Sequence, residues 1–411
     1  YNEKGFPILT MNYPQQEYKI ADEDRLVNLD SGRSFGKLIR TDFKNKKITI
    51  QATGKNKPLG EFKDYYNFGA VGPPGVKKLQ DAMSLFAEDF TSGKINSSIS
   101  DLLAIKPPKF TGKFNLSTES NKDHLKLINN AIKNLDNSYL FIQGPPGTGK
   151  TYSSAKAVLE LLKDGKKIAI SSNSHKAINN LLSKLDEFAN EEGFSFKGLK
   201  KFSGSMNNKY ESENITATTE SRPRPKPYKK GVKLPLTFIS HNYQLLACTK
   251  YELADPDYRD QFDFLFIDEA GQASIADVVI SSLVAKNLIL IGDPQQLAQP
   301  SNIIHPGDSG LSVLEYILKD QSTVKNNMGI FINETRRLNS NINKFTSSLF
   351  YDGRLKSHDT NKNRKLQFKD NIFGINEGLL LIETNHEDNS QNSKEEVEII
   401  KSIYSYLLKQ N

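Results

Sequence analysis

The pattern of apolar and polar residues is most regular after residue 138. From there, short apolar runs rich in β-branched and aromatic residues alternate with longer runs whose apolar residues recur every three or four positions. The first kind of run predicts strands and the second predicts helices. Their regular alternation is typical of a parallel sheet covered by helices, so we predict an α/β fold. The predicted strands are LFIQ, KKIAISS, TFIS, FDFLFID and NLILIGD.

The chain before this region has other patterns. Within 22–52, β-prone runs such as FGKLIRTD and KKITIQA alternate with turn residues, which predicts a small antiparallel barrel or hairpin module over 1–75. The apolar spacing within 76–90 and 98–105 predicts two amphipathic helices. We therefore expect a helical segment over 76–115 between the module and the α/β domain.

The predicted α/β domain covers 116–330 and includes a further helix over 125–135. One stretch, 207–233, breaks its pattern, because its second half combines basic residues, prolines and a tyrosine without any acidic residue. We interpret this stretch as a mobile, solvated insertion. The alternative is a contact with single-stranded nucleic acid.

Composition and charge narrow the possible functions. The chain has 411 residues and a formal net charge of +7, which permits a polyanionic partner without requiring one. The single Cys248 excludes internal disulfides and any cysteine zinc site. No apolar run approaches the roughly 18 residues of a membrane span, so we expect a cytoplasmic protein without a membrane partner. Because the chain starts at Tyr1, we expect it to be a piece of a longer polypeptide.

The octapeptide GPPGTGKT carries the clearest chemistry. Its spacing is that of a P-loop, in which backbone N–H groups cradle phosphates, the lysine contacts the β- and γ-phosphates and the hydroxyl binds Mg²⁺. A predicted strand precedes it and a predicted helix follows it, as this loop requires. We therefore predict a site for a nucleotide and Mg²⁺; ATP as the nucleotide is implied only by the family resemblance described below. The residues predicted to contact the nucleotide are Gly144, Pro145, Pro146, Gly147, Thr148, Gly149, Lys150 and Thr151.

Two later strands also end in polar side chains. FDFLFIDEAGQAS ends its apolar run at Asp268 and Glu269, where one carboxylate can hold Mg²⁺ and the next can orient a water molecule. NLILIGDPQQLAQP brings Asp293 and Gln296 to the same predicted edge, where an amide can detect a γ-phosphate. Two such strand ends after a P-loop predict a nucleotide hydrolase.

These segments resemble a known family. QGPPGTGKT, IDEAGQ, GDPQQL and ETRRLNSNINKFTSSLFYDGRL are similar, in order and spacing, to motifs I to IV of superfamily-one helicases. The resemblance is to the branch with the nonsense-mediated-decay RNA helicase and the Okazaki-fragment helicase-nucleases. SHKAINNLL and HPGDSGLSVLEYIL look closest to bacterial proteins that fuse such a helicase behind a RecB-like nuclease. The resemblance to the family covers about 117–411. It implies an accessory barrel over 1–75, a helical stalk over 76–115 and two RecA-like domains, the first over 116–330 and the second beginning at 331.

The resemblance also implies roles in hydrolysis. Lys150 and Thr151 would bind phosphate and Mg²⁺, Asp268 would hold the metal ion, and Glu269 would be the base that activates water. Gln296 would couple the γ-phosphate to movement along the strand.

Arg337 would reach the γ-phosphate from the second domain as an arginine finger. Where the family often has an aromatic residue that stacks on the base, this chain has Arg336, whose planar guanidinium can stack instead. The family's upstream glutamine, which reads adenine, is missing from 125–131, which leaves adenine specificity open.

Nucleic-acid contacts are implied at three residues. Ser174 and His175 match the motif that touches strand phosphates in the family, and Ser240 is a candidate for a second contact. Hydroxyl groups suit this role because they bind a backbone without reading its sequence. The branch implies 5′-to-3′ movement on single-stranded nucleic acid, with DNA favoured over RNA, and a RecB-like nuclease domain elsewhere in the full-length protein. The sequence leaves both the polymer and the pathway open, and also the oligomeric state.

Two other classes remain as alternatives. Glu61 and Lys63 form an E-x-K triplet, a fragment of a metal-dependent nuclease signature that also needs acids on adjacent strands. A P-loop switch or remodelling ATPase would use the same nucleotide site without nucleic acid. Stimulation of ATP hydrolysis by nucleic acid would separate the helicase from the switch.

Because superfamily-one motors hydrolyse ATP between two RecA-like domains, we expect residues 1–411 to lack part of the cleft. An α/β domain needs on the order of 100 to 200 residues, and an arginine finger contributes about 10³ to 10⁵ in rate. We predict that residues 1–411 alone bind nucleotide weakly, show little stimulated hydrolysis and unwind nothing, whereas a chain extended to the natural C-terminus does all three. Robust stimulated ATPase activity from the piece would contradict the two-domain hypothesis.

Overall fold

A computed structural model describes the protein over most of its length. The described residues are 1–13, 25–29, 31, 33–56, 58–63, 65–70, 77–119, 123–203, 206–219, 242–297, 307–385, 389 and 392–410. The chain divides into two compact units, Tyr1–Lys77 and Lys78–Asn411.

The first unit contains an antiparallel sheet. Its strands are β1 (Ile8–Asn12), β2 (Arg25–Asn28), β3 (Ser34–Asp42), β4 (Lys47–Ala52) and β5 (Phe68–Ala70). Their order is β1-β4-β3-β2-β5, and among the described residues no pair joins β1 to β5 to close a barrel. On β4, Ile48, Ile50 and Ala52 are buried while the residues between them are more exposed, the two-residue period of a sheet with one covered face.

The second unit is built on an eight-stranded sheet, which confirms the predicted α/β fold. Its strands are β6 (Tyr139–Gln143), β7 (Ile168–Ser171), β8 (Gly198–Lys201), β9 (Ile215–Thr218), β10 (Leu245–Cys248), β11 (Phe262–Asp268), β12 (Ala285–Gly292) and β13 (Gly329–Phe331). The order is β13-β6-β12-β11-β7-β10-β8-β9, and every described pair is parallel.

Helices cover both faces of this sheet. They are α1 (Lys77–Thr91), α2 (Ser97–Leu103), α3 (Leu116–Glu119), α4 (His124–Lys133), α5 (Lys150–Lys163), α6 (His175–Glu191), α7 (Lys250–Leu253), α8 (Ile275–Ser282) and α9 (Val313–Leu318). Apolar residues of α4, α5 and α6 share one core with Leu140 and Ile142 of β6. Residues of α2, α8 and α9 share another with Tyr139 and Phe141. Successive residues of β6 thus enter opposite cores, which explains why Tyr139 to Ile142 are all apolar.

The C-terminal part of the unit has less regular structure. It contains β14 (Glu334–Thr335), α10 (Ser340–Phe350), β15 (Lys356–Ser357) and α11 (Lys394–Leu408). The apolar run Leu379 to Ile382 is exposed and forms no strand, and α11 has no buried residue. A domain boundary at 331 stays a prediction.

The predicted insertion at 207–233 needs a correction. Within it, β9 pairs in parallel with β8 and adds a strand to the sheet. Its sequence ITAT is short and half polar, so periodicity alone gives little sign of a strand. The basic half of the stretch lies outside the described residues.

A buried amide holds the end of β6 to the turn that leads into β13. The side chain of Gln143 donates to the Ser322 carbonyl oxygen at 2.9 Å and accepts from the Val324 N–H at 2.7 Å. Gln143 is fully buried. Its two hydrogen bonds fix the residue that immediately precedes the P-loop.

We predict that Gln143→Leu lowers the free energy of unfolding by about 2–5 kcal/mol, because the buried Val324 N–H and the partly buried Ser322 carbonyl each lose a partner, at a cost of about 1–3 kcal/mol for each group. Urea denaturation measures the change. The control is Gln80→Leu, an exposed glutamine on α1, which we expect to alter stability by less than about 0.5 kcal/mol. An equal effect of both substitutions would contradict this role of Gln143.

Candidate nucleotide site

The candidate site lies at the carboxyl edge of the parallel sheet. In the register of the strands, Gly292 of β12 pairs with Gln143 of β6, and Asp268 of β11 pairs with Ile291. The Gly144 N–H donates to the Gly292 carbonyl oxygen at 2.9 Å, which ties the start of the P-loop to the end of β12. The predicted strand ends therefore do meet at one edge.

The P-loop has the backbone that its glycines permit. Gly147 and Gly149 have φ values of 76° and 83°, in the left-handed region that other residues rarely adopt. Gly149 is also the N-cap of α5, so the loop ends at a helix N-terminus, where N–H groups and the helix dipole favour an anion. The Thr148 hydroxyl donates to the Pro145 carbonyl oxygen at 2.8 Å and closes the turn.

Lys150 is half-buried within this loop, not exposed as a loop lysine ordinarily is. Its Nζ donates to the carbonyl oxygens of Gly144 and Pro145. Burial lowers the pKa of Lys150, while the nearby charges of Asp293 and Asp268 raise it. A phosphate would give this ammonium group the counter-charge that burial makes favourable.

Asp268 and Glu269 differ sharply in environment. Burial and, to a smaller extent, the charge of Glu269 raise the pKa of Asp268 to about 6, although the Glu269 N–H, which donates to Asp268 Oδ1 at 3.0 Å, acts to lower it. Glu269 is less buried, and its backbone φ of 55° is left-handed, a strained conformation for a residue with a side chain. The Ser172 hydroxyl lies 3.5 Å from Glu269 Oε2.

The donor set fits a magnesium ion. Mg²⁺ prefers oxygen ligands and is usually held by one or two carboxylates together with substrate phosphates and water. The Thr151 hydroxyl, in the first turn of α5, and the Asp268 carboxylate, at the end of β11, are oxygen ligands of this kind. Because burial dominates the raised pKa of Asp268, its charged form lacks full compensation within the protein, and a cation would provide it.

Gln296 lies just beyond β12 and is exposed. Its side-chain amide donates to Asp293 Oδ2 at 3.1 Å, and its N–H donates to the Asp293 carbonyl oxygen at 3.2 Å. Asp293 is buried and receives a further hydrogen bond from Tyr351. Sequence reasoning missed the contact with Tyr351, which lies 58 residues further along the chain.

The arginine segment lies directly on the P-loop. The Arg336 N–H donates to the Gly147 carbonyl oxygen at 2.8 Å, and the Thr335 hydroxyl donates to the Pro146 carbonyl oxygen at 2.8 Å. A Cβ atom at Gly147 would lie 2.2 Å from Cβ of Arg337, so only glycine fits beneath that residue. Both arginines are exposed. Thr335 was missed by sequence reasoning, although it directly precedes the arginine pair.

Two of the three predicted nucleic-acid residues lie at the start of α6. Ser174 is the N-cap, and its Oγ accepts from the Ala177 N–H at 3.0 Å. His175 Nδ1 lies 3.2 Å from Nζ of Lys200, which is fully buried, and burial lowers the pKa of both groups. Sequence reasoning missed Lys200. Ser240 lies outside the described residues.

The structure also bears on a metal cluster, on the Glu61 and Lys63 triplet and on membrane-spanning helices. Across the described ranges, no group of three or more His, Cys, Asp or Glu side chains could hold a metal ion. Glu61 and Lys63 are both exposed. No helix in the described part of the chain is long and apolar enough to cross a membrane.

Comparison with known proteins supports the resemblance. Residues 119–200 and 195–300 match the AAA domain family. The "DNA replication ATP-dependent helicase/nuclease DNA2" of Bos taurus is 30% identical over 223 residues, which cover 54% of this chain and 20% of that protein. The "Regulator of nonsense transcripts 1 homolog" of Neurospora crassa is 26% identical over 315 residues, or 68% of this chain and 28% of that protein.

The chain thus spans less than a third of the length of either relative. Among solved structures, a DNA complex of arterivirus nonstructural protein 10, a helicase, matches 87% of this chain and 59% of that one, with 12% identity and a TM-score of 0.36. A TM-score this low supports no conclusion about family or function, so the family resemblance depends on the domain match and the sequence relatives. The domain match and both relatives support the predicted family: the chain is similar in sequence to superfamily-one helicases of the group that contains these two proteins.

Proposed function

We propose that this chain is the ATP-driven motor of a helicase or translocase that moves along single-stranded nucleic acid. One observation carries the proposal: the ends of β11 and β12, which bear Asp268, Glu269 and Asp293, lie in register with β6 at the start of the P-loop, and the segment of Arg336 and Arg337 is hydrogen-bonded to the same loop. Two strand ends and the arginine segment therefore converge on one phosphate-binding loop. This is the set of charges that phosphoryl transfer requires.

The proposed hydrolysis uses these residues in distinct roles. Lys150 would leave its loop carbonyls and contact the β- and γ-phosphates, and Glu269 would accept the proton of the attacking water at its carboxylate. Arg337 would stabilise the negative charge that develops on the γ-phosphate oxygens. Arg336, whose backbone is held by Gly147, would stack on the base.

Thr151 and Asp268 would hold Mg²⁺, which, when bound, neutralises charge on the phosphate oxygens. Gln296 would turn from Asp293 towards the γ-phosphate when ATP is present. Because its hydrogen bond to Asp293 is between side chains at an exposed position, the turn needs no change in the sheet.

The proposed contacts with nucleic acid depend more on the family resemblance than on the geometry of the site. Ser174 and His175 would contact strand phosphates at the start of α6, where N–H groups favour an anion. DNA is favoured over RNA because the Bos taurus relative is named as a DNA replication helicase/nuclease. We further propose 5′-to-3′ movement, and a RecB-like nuclease domain in the full-length protein.

A switch or remodelling ATPase that ignores nucleic acid remains the second candidate, since the same loop and acids would serve it. The deciding experiment measures ATP hydrolysis by the full-length natural protein with and without single-stranded DNA or RNA. Stimulation supports the helicase, and equal rates support the switch. Mg²⁺-dependent cleavage of DNA that survives Lys150→Ala would support a nuclease elsewhere in that protein.

We predict that Lys150→Ala abolishes ATP hydrolysis by the full-length protein without lowering its melting temperature. Hydrolysis should stop because the substitution removes the charge that faces the β- and γ-phosphates. The melting temperature should not fall, because the hydrogen-bond partners of the half-buried Lys150 ammonium group are carbonyl oxygens of its own loop. Stimulated ATPase rates and thermal unfolding test this, with Lys166→Ala, an exposed lysine, as the control. Unchanged turnover in Lys150→Ala would show that the nucleotide site is wrongly assigned.

We expect Glu269→Gln to slow hydrolysis by about 10²- to 10⁴-fold while leaving ATP affinity nearly unchanged, because the amide keeps the shape but cannot accept a proton. Single-turnover hydrolysis and equilibrium binding of a fluorescent ATP analogue measure the two effects. Glu187→Gln, at an exposed position of α6, is the matched control. A collapse of affinity would mean that Glu269 holds the metal ion, which reverses the roles of Glu269 and Asp268.

A further inference from the structure

The buried residue Tyr351 and the proposed γ-phosphate sensor Gln296 both donate a hydrogen bond to the carboxylate of Asp293. The Tyr351 hydroxyl donates to Asp293 Oδ2 at 2.7 Å, and both residues are almost completely buried. Burial raises the pKa of Tyr351, and the charge of Asp293 raises it further, so the phenol keeps the proton that it donates. The contact joins positions that are 58 residues apart in the chain.

The same oxygen is the acceptor for Gln296. Gln296 Nε2 donates to Asp293 Oδ2 at 3.1 Å, while the other oxygen, Oδ1, accepts from the Gln295 N–H at 3.2 Å. Oδ2 therefore has two side-chain donors in this structure, one exposed and one buried. If the Gln296 amide turns away, Asp293 Oδ2 keeps the hydrogen bond from the Tyr351 hydroxyl.

Tyr351 itself is held firmly. In the turn that follows it, Asp352 accepts from the Thr323 hydroxyl at 2.7 Å, and Arg354 donates to the same hydroxyl at 3.0 Å and to the Val324 carbonyl oxygen at 2.9 Å. The turn is thereby fixed to the segment that precedes β13. A tyrosine anchored in this way can hold Asp293 in place without moving with Gln296.

The segment that carries Tyr351 also carries the arginines. It contacts the P-loop through Thr335 and Arg336, continues through α10, and returns to the sheet edge at Tyr351. One stretch of chain thus contacts both strand ends that flank the nucleotide site, at β6 and at β12. Tyr351 is the contact at the β12 end.

We propose that Tyr351 is a positioning residue for Gln296: its hydroxyl keeps Asp293 Oδ2 hydrogen-bonded when the Gln296 amide turns to the γ-phosphate, and so sets the preference of the site for ATP over ADP. This inference rests on the proposed function, which gives Gln296 its role. Without the hydroxyl, release of Gln296 leaves a buried carboxylate oxygen with one donor fewer, and the ATP-bound arrangement becomes less favourable. ADP has no γ-phosphate, so its binding does not require that release.

The test is Tyr351→Phe in the full-length natural protein, with binding of ADP and of a non-hydrolysable ATP analogue measured by fluorescence titration. We expect the affinity for the analogue to fall about 5- to 150-fold, the range for an unsatisfied buried acceptor, with ADP affinity unchanged. A purely structural role would weaken both nucleotides equally, and that result, or no change in either, would overturn the proposal.

The matched control is Tyr316→Phe on α9, which also loses a 2.7 Å hydrogen bond, to the Leu103 carbonyl oxygen, away from the site. It should alter neither affinity. If Tyr351→Phe fails to fold, Asp293→Asn is the second variant, because it keeps the shape but leaves one acceptor oxygen for three donors, the Gln295 N–H, the Gln296 amide and the Tyr351 hydroxyl. A selective loss of the analogue supports the proposal, and an equal loss of ADP contradicts it.

Gln296→Ala separates the two levels of inference. If this variant retains the wild-type preference for the analogue, the proposed role of Gln296 is wrong, whatever Tyr351→Phe does. If Gln296→Ala lowers the preference and Tyr351→Phe does not, only the role of Tyr351 is wrong. If both act through one step, the double variant should be no weaker than Gln296→Ala alone, since residues in one network are not additive.

Discussion

The central strands of the large sheet are packed on both faces, and the position of the site depends on that packing. In β6, Tyr139 and Phe141 enter one core while Leu140 and Ile142 enter the other. A strand held in this way cannot shift by one residue, because every side chain would change faces. Since the neighbouring strands are parallel and in register, their ends are fixed at one edge. The polar residues that follow each strand therefore meet there.

Several energetically unfavourable features, two charged groups disfavoured by burial and a strained backbone conformation, lie at this edge of the sheet. Burial raises the pKa of Asp268 and lowers that of Lys150, so burial disfavours the charged form of each side chain. Glu269 adopts a left-handed backbone conformation that side chains rarely permit. The rigid cores on either side can sustain these local penalties. A nucleotide with its metal ion would compensate the charges, which is the usual reason why such features occur at functional sites.

The segment from β14 to Tyr351 gives the site a second side. Its hydrogen bonds to Pro146 and Gly147 are made largely by backbone groups and a threonine hydroxyl, so they position the arginines without using their guanidinium groups. Its other end is fixed by the buried contact with Asp293. The same segment therefore contacts the P-loop at one end and, at the other, the carboxylate that accepts from the Gln296 amide.

The sequence by itself determined the α/β class, the P-loop and the strand-end acids, because these depend on local spacing: a two-residue or 3.6-residue apolar period, and a fixed order of glycines, lysine and hydroxyl. The helices predicted at 76–90 and 98–105 appear as α1 and α2 for the same reason. The sequence missed β9, whose short polar run becomes a strand only by pairing with β8. Tertiary structure alone decided that Thr335 touches Pro146 and Tyr351 touches Asp293, since these partners lie 189 and 58 residues apart and no local pattern encodes a contact between distant side chains.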